Sequence, residues 1–95
     1  MNDLNQIILE GEVTHTDTGV TPSGIQMIMM TVVSRKTVSV KGEEFQRVYT
    51  FSVEADGSFA KADIKAGDKV RIVGYLKEIS GKVYIHTEYL ERRAR

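Results

Sequence analysis

The chain of 95 residues has no cysteine, no tryptophan, one proline and no long apolar run. Without cysteine, a disulfide framework and a thiolate metal site are both excluded. The longest apolar segment, residues 25–33, contains Gln26 and Thr31 and is too short to cross a membrane. The first residues, MNDLNQ, lack the basic region and apolar core of a signal peptide. We therefore expect a cytoplasmic protein that makes no contact with a membrane.

An excess of charge of either sign is also missing. Lysine and arginine total 13 residues, aspartate and glutamate total 13, and the net charge is zero. The field of the whole molecule therefore offers no attraction to a polyanion, and a nucleic-acid partner requires cations that are segregated on one surface. A chain of this length is expected to form one domain, residues 1–95, with a small core that gains stability from oligomerisation.

Two distant stretches share a pattern in which apolar and mostly polar residues alternate and a glycine occupies a place on the apolar face. The apolar-face positions are Ile7, Leu9, Gly11 and Val13 in the first stretch, and Val70, Ile72, Gly74 and Leu76 in the second. Alternation of this kind indicates β-strands. A glycine among core-facing residues lets a strand bend and lets another backbone approach, as a small closed barrel requires. The pattern therefore predicts a barrel.

The order of the predicted elements supports the same fold. Strands are predicted at residues 5–15, 25–35, 45–54, 69–79 and 82–91. The connections are a turn-rich stretch at 17–24, a polar loop at 36–44, a short helix that opens at 56–58 and stops at Gly67, and a two-residue hairpin turn at 80–81. This order is typical of the OB-fold, an all-β, five-stranded Greek-key barrel whose surface binds oligonucleotides or oligosaccharides.

The second predicted strand is apolar on both faces. Ile28, Met30 and Val32 lie on one side, and Met27 and Met29 lie on the other. A strand of this kind is covered twice. We expect the barrel core to cover one face and a second subunit to cover the other, so the predicted assembly is a homo-oligomer, a dimer or a tetramer.

Tyr75 lies between two cations on the predicted outward face of the fourth strand. If Gly74 points inward, then Arg71, Tyr75 and Lys77 point outward. An aromatic ring can stack on an unpaired base while neighbouring cations contact phosphates. The alternative is a solvated strand face whose tyrosine packs at a subunit contact.

Further candidates for nucleic-acid contact flank the polar loop and lie on the last strand. They are Arg35, Lys36, Lys41, Phe45 and Arg47 around the loop, and Tyr84 and His86 on one face of the strand. The alternative for the loop cations is a solubilising role alone. Tyr89 is expected to complete the core. No spacing of histidines, acids, nucleophiles or glycines matches a catalytic or metal-binding motif, so we expect neither enzymatic activity nor a cofactor.

Several separated segments resemble the bacterial single-stranded DNA-binding protein family in order and spacing. They are NQIILEG at residues 5–11, TPSGI at 21–25, FSVEADGSFAK at 51–61 and AGDKVRIVGYL at 66–76. Primosomal replication protein N, a tail-less relative of that family, shares the same frame. The resemblance implies an OB-fold that forms dimers or tetramers. It also implies that single-stranded DNA passes over the outer sheet surface, held by stacked aromatic residues, lysines and arginines, without a metal or cofactor.

The chain departs from that family at positions that affect affinity. It has no tryptophan, and it has Thr50 and Asp56 where the family places outward aromatic residues on the third strand. An aspartate cannot stack on a base and repels phosphate, so weak binding is expected there. The flexible, acidic-tipped tail of the family is not seen after Arg95, and recruitment of partners through such a tail is not expected.

The sequence therefore predicts a homo-oligomer that binds single-stranded DNA largely independently of base sequence. Its expected setting is DNA replication, recombination or repair at the bacterial nucleoid, with replication or repair proteins as further partners. The alternative is an OB-fold interaction module that docks on a replication partner and has little or no DNA affinity. The neutral charge, the missing tryptophan and Asp56 favour the alternative, whereas Arg71, Tyr75 and Lys77 favour DNA. RNA is a third option, because stacking tolerates either sugar.

Overall fold

The computed structural model describes residues 3–94, apart from the side chains of residues 60–62. Its elements are β1 (Ile7–Val20), β2 (Gln26–Val40), β3 (Glu43–Asp56), a 3-10 turn (Gly57–Ala62), β4 (Lys69–Ile79) and β5 (Lys82–Ala94). The strands form a closed barrel in the order β1-β2-β3-β5-β4. The predicted five-stranded, all-β barrel is therefore confirmed.

The helix predicted between the third and fourth strands is only a 3-10 turn. Asp56 begins it by accepting a hydrogen bond from the Ser58 backbone N–H at 2.9 Å and another from the Ser58 hydroxyl. The following six residues are too few for a stable α-helix, and short segments of this kind adopt the tighter 3-10 form.

β1 closes the barrel because it pairs with two strands in succession. Its first residues, 7–12, run antiparallel to β4, and residues 12–20 run antiparallel to β2. Asn5 extends the first of these ladders with its side chain. The Asn5 amide donates to the Leu76 carbonyl at 2.9 Å and accepts from the Leu76 N–H at 3.1 Å.

Gly11 and Gly74 lie where two backbones approach closely. A Cβ atom at position 11 would lie 2.4 Å from the carbonyl oxygen of Val33 on β2, and one at position 74 would lie 1.9 Å from that of His86 on β5. Both distances are far below van der Waals contact. The glycines are therefore required by the close approach of a second backbone, which is the reason inferred from the sequence.

The prediction of a polar loop at residues 36–44 is wrong, because most of these residues belong to strands. β2 and β3 pair continuously as far as Val40 and Glu43. They are joined by Lys41 and Gly42, whose φ angles of 52° and 81° are typical of a type I′ hairpin turn. Residues 41–50 are all exposed, so this hairpin projects beyond the barrel. We call residues 34–49 the arm.

The first strand is also longer than predicted. β1 continues to Val20, through half of the turn-rich stretch predicted at 17–24.

The core is built from inward-facing residues of all five strands. They are Leu9, Val13, Ile28, Met30, Val32, Val53, Ala55, Val70, Ile72 and Ile85. β2 buries one face, as predicted, and leaves Met27 and Met29 half-buried on the other.

Two residues predicted to face the core are instead exposed, Leu76 by 46% and Tyr89 by 54%. Leu76 lies near the end of β4, outside the barrel core. Tyr89 follows an irregularity in the β4–β5 pairing, where Thr87 lies opposite Gly74 and Tyr89 lies opposite the adjacent Val73. The extra residue on β5 reverses the alternation, and the ring therefore faces outward.

Thr87 places a hydroxyl group inside the barrel. The residue is 2% exposed, and among the described residues its Oγ1 has no hydrogen-bond partner. We expect Thr87→Val to raise the free energy of unfolding by about 1 kcal/mol, because valine keeps the shape and removes a buried polar group that lacks a partner. Chemical denaturation followed by circular dichroism measures this change.

Thr87→Ser is the matched control for that substitution. It keeps the hydroxyl and removes the buried methyl group, and we expect the free energy of unfolding to fall by about 1 kcal/mol. A Thr87→Val protein that is less stable than the parent would show that the hydroxyl has a stabilising role.

Candidate nucleic-acid interface

The residues predicted to contact nucleic acid lie in two places. One group lies on the outer surface of the barrel where β4 and β5 pair, and we call it the barrel face: Arg71, Tyr75, Lys77, Tyr84 and His86. The other group lies on the arm: Arg35, Lys36, Lys41, Phe45 and Arg47.

Cross-strand pairing joins barrel-face residues that the sequence places on separate strands. Tyr75 lies opposite His86, and Lys77 lies opposite Tyr84. The rings of Tyr75 and His86 are tilted by 38°, with centroids 5.0 Å apart. The Nζ atom of Lys82 is 5.2 Å from the centroid of the Tyr84 ring, within cation–π range. Rings and cations are therefore contiguous on one outer surface, as stacking on bases and contact with phosphates require.

An acidic residue that the sequence pattern did not reveal lies beside these rings. Glu54 is an outward residue of β3, yet it is only 7% exposed. Its Oε1 atom lies 2.7 Å from Nζ of Lys77 and 2.9 Å from Nδ1 of His86. The parallel pairing of β3 with β5 places it next to His86. This pairing involves two residue pairs only, which is too short to leave a pattern in the sequence.

The environment of Glu54 keeps the carboxyl group charged. Burial raises the pKa of Glu54, but hydrogen bonds and positive charge from Lys77 and His86 outweigh burial, so the pKa lies below its ordinary value of 4.5. The hydrogen bond to Glu54 raises the pKa of Lys77 above its ordinary 10.5, despite an opposing effect of burial. Both groups therefore remain charged near neutral pH, and they form an ion pair.

The arm carries most of its candidate residues on the side that continues the core face of the barrel. Alternation along the paired strands places Phe45 and Arg47 on this side, opposite Val38 and Lys36. Phe45 is 46% exposed. Lys41 lies at the tip. Among the described residues, no ion-pair partner is found for Lys36, Lys41 or Arg47.

Arg35 is separated from the other arm cations. It lies on the opposite side of the hairpin and borders a cleft of about 340 Å³ formed with β1, β4 and β5. Its guanidinium is 3.6 Å from the carboxylate of Glu12, and on the same cleft Arg93 lies 3.2 Å from Glu10. The structure therefore does not bring Arg35 together with the remaining candidate cations.

A shallow groove of about 320 Å³ adjoins the barrel face at Tyr84. It is lined by His15, Thr16, Asp17, Met29, Met30, Thr31, Ser52, Lys82 and Tyr84. The groove runs from the start of β5 toward β3, β2 and β1. It therefore extends the surface along which a flexible chain can lie.

Asp56 and Thr50 stand where the single-stranded DNA-binding protein family that the sequence resembles places outward aromatic residues. Asp56 is held by hydrogen bonds from the side chain and backbone of Ser58, which lower the pKa of its carboxyl below the ordinary 3.8. Its charge is therefore kept at neutral pH. Thr50 is exposed on β3.

Two kinds of feature are absent from the described part of the chain. Residues 3–94 contain no cluster of three or more histidine, aspartate or glutamate residues arranged to hold a metal ion. Within the same residues there is no helix of the length and apolarity needed to cross a membrane.

Comparisons with known proteins give no match to a protein-family model or to a curated protein sequence. Solved structures do match. The PriB protein from Ralstonia solanacearum superposes with a TM-score of 0.79 at 17% identity, over 95% of this chain and 98% of that chain. The wild-type single-stranded DNA-binding protein from Thermus aquaticus superposes with a TM-score of 0.77 at 21% identity, over 95% of this chain and 50% of that chain.

The single-stranded DNA-binding protein of Plasmodium falciparum, solved in complex with single-stranded DNA, gives a TM-score of 0.79 at 14% identity. The match covers 98% of this chain and 97% of that chain. These identities are low, so the comparisons bear on the fold. The chain has the fold of PriB and of single-stranded DNA-binding proteins, as the resemblance of its sequence segments predicted.

Proposed function

We propose that this protein binds single-stranded DNA largely independently of base sequence, as a homo-oligomer. The observation that carries the proposal is the barrel face, where Tyr75, His86 and Tyr84 lie beside Lys77 on one outer surface of a closed barrel. Aromatic rings stack on any base, and cations contact the common phosphate backbone. The matching folds of proteins that bind single-stranded DNA support the same function.

The arm supplies the electrostatic part of the proposed binding. Lys36, Lys41 and Arg47 project from the barrel, and the chain as a whole has no net charge. The arm carries four cations against two acids, Glu43 and Glu44, so it has a net positive charge that the neutral composition of the whole chain does not reveal. The arm therefore attracts the phosphate backbone, and the barrel face stacks the bases.

The proposed role is protection of exposed single strands during replication, recombination or repair in the bacterial cytoplasm, together with proteins of those processes. Oligomerisation is supported by apolar residues that the single chain leaves exposed, among them Ile8 on β1 by 59% and Val48 on the arm by 56%. A second subunit that covers such residues would add to the burial of a small core.

A second candidate function is an interaction module with little DNA affinity. The ion pairs of Lys77 with Glu54 and of Arg35 with Glu12 favour it, because they neutralise two of the candidate cations. The neighbouring rings of Tyr75 and His86 favour DNA, since aromatic side chains on an outer strand surface are what the bases of a single strand stack on.

Titration of a fluorescent oligothymidine, with a duplex of equal length as the control, tests the proposal. We expect tighter binding to the single strand at every salt concentration. If three phosphates are contacted, the affinity should fall about 20-fold between roughly 50 and 200 mM salt, because log K falls by about 0.7 per contact for each decade of salt. Absence of binding at low salt would favour the interaction module, and equal binding to the duplex would contradict the proposed preference for single strands.

A further inference from the structure

Glu54 is an acid in the middle of a surface proposed to bind a polyanion. The charged or titratable groups around it are Tyr75 and Lys77 on β4, Tyr84 and His86 on β5, and Asp56 on β3, while β2 contributes Met29. A carboxylate so close to the proposed path of the phosphates is expected to lower the affinity for DNA. The contacts of Glu54 indicate how it does so.

One oxygen of Glu54 makes both contacts in the cluster. Oε1 accepts from Lys77 at 2.7 Å and lies 2.9 Å from the ring nitrogen of His86. A non-bridging phosphate oxygen of DNA would make the same kind of contact with the same two groups. Because the side chain of Glu54 is 9% exposed whereas that of Lys77 is 35% exposed, the acid is fixed and the ammonium group is the part that can turn toward solvent.

We propose that Glu54 is an internal counter-ion that competes with nucleic-acid phosphate for Lys77 and His86 and so limits the affinity of the barrel face. This inference rests on the proposed binding of single-stranded DNA. In the free protein Glu54 holds both groups and orients His86 against Tyr75. Binding of a phosphate at Lys77 requires that the ammonium be shared or released.

Three cations of the arm differ from Lys77 of the barrel face in having no acidic partner in the described part of the chain. Lys36, Lys41 and Arg47 have no ion-pair partner among the described residues, so their charge is available to DNA at once. The barrel face contributes mainly stacking, because the charge of its Lys77 is already neutralised. Capture by the arm and retention by the rings are thereby assigned to different parts of the molecule.

Glu54→Gln tests the inference, because glutamine keeps the shape and a hydrogen-bond acceptor while removing the charge. We expect oligothymidine to bind about three- to tenfold more tightly at low salt, with a salt slope steeper by about 0.7, equivalent to one additional phosphate contact. Glu54→Asp keeps the charge, so its affinity for oligothymidine and its salt slope should stay near those of the parent. A purely structural role for Glu54 would not steepen the salt slope.

Glu88→Gln is the matched control for net charge. Glu88 lies on β5, is exposed and has no ion-pair partner among the described residues. An equal gain in affinity from Glu88→Gln, or an unchanged affinity in a folded Glu54→Gln protein, would overturn the inference. If neither the variants nor the parent bind single-stranded DNA at low salt, the proposed function itself fails, and that outcome is distinct from the others.

A second variant covers the case in which Glu54→Gln alone does not fold. The double substitution Glu54→Gln with Lys77→Gln removes both partners and leaves the net charge unchanged. If Lys77 is neutralised in the free protein, the affinity of the double variant should remain within about twofold of the parent. A loss of tenfold or more would show that Lys77 contacts phosphate despite Glu54, and the inference would be wrong.

Discussion

Gly74→Ala is expected to lower the free energy of unfolding by about 3 kcal/mol or more. The added methyl group would lie 1.9 Å from the backbone carbonyl oxygen of His86, with the Cα atom of Thr87 at 3.3 Å. Backbone atoms cannot turn away as a flexible side chain can, so β4 and β5 must move apart at the point where their pairing is already irregular. Because a small domain has about 5 to 15 kcal/mol of stability, this loss is a large fraction of the total. Denaturant unfolding measures it.

Gly19→Ala is the control for the same chemical change. Gly19 also lies in a strand, and a Cβ atom there would meet nothing within 4 Å. We expect a change of less than about 0.5 kcal/mol at this exposed strand position. If the two alanine variants had equal stabilities, the close approach at Gly74 would not be the reason for the glycine.

Tyr75→Ala combined with Arg71→Glu is expected to weaken binding of single-stranded DNA by about 30- to 1,000-fold. Loss of one stacking ring costs about 1 to 3 kcal/mol, and reversal of a neighbouring charge adds repulsion of the phosphate backbone. A factor of ten corresponds to about 1.4 kcal/mol. The affinity for oligothymidine at fixed salt is the measurement, with circular dichroism to establish that the variant is folded.

Tyr75→Phe separates stacking from the hydroxyl group. The ring and its contact with His86 are kept, so the affinity should remain within about threefold of the parent. The oligomer mass of each variant distinguishes DNA contact from subunit contact. A double variant that binds DNA normally but changes its oligomeric state would place Tyr75 at an interface between subunits.

Alternation predicted the barrel well wherever one strand face is covered by the core. The bounds of β4 and the turn at Ser80 and Gly81 agree with the structure, because Val70 and Ile72 are buried and Arg71 between them is not. The middle of the arm, residues 36–44, was predicted as a loop because it has no core to impose such a pattern. Its strands are held by pairing with each other, and apolar and polar side chains are exposed on both sides.

The barrel face was predicted in part. The outward positions of Tyr75 and Lys77 follow from their register with Gly74, but their neighbours on β5 depend on the pairing of β4 with β5. Glu54 could not be placed beside them, because its position depends on the short parallel contact between β3 and β5. Tyr89 was misplaced for a related reason, since an extra residue in one strand changes every face that follows it.

The double pairing of β1 has a consequence for how quickly the chain folds. The β2–β3 and β4–β5 hairpins join neighbours in sequence through two-residue turns, and such hairpins form within about microseconds. Residues 7–12 must instead find residues 69–74 across most of the chain. Contacts of such long separation slow folding, because the entropy of loop closure is lost before the contacts stabilise the product. The docking of β1 on β4, including the Asn5 side chain, is therefore expected to be the slow step that completes the barrel.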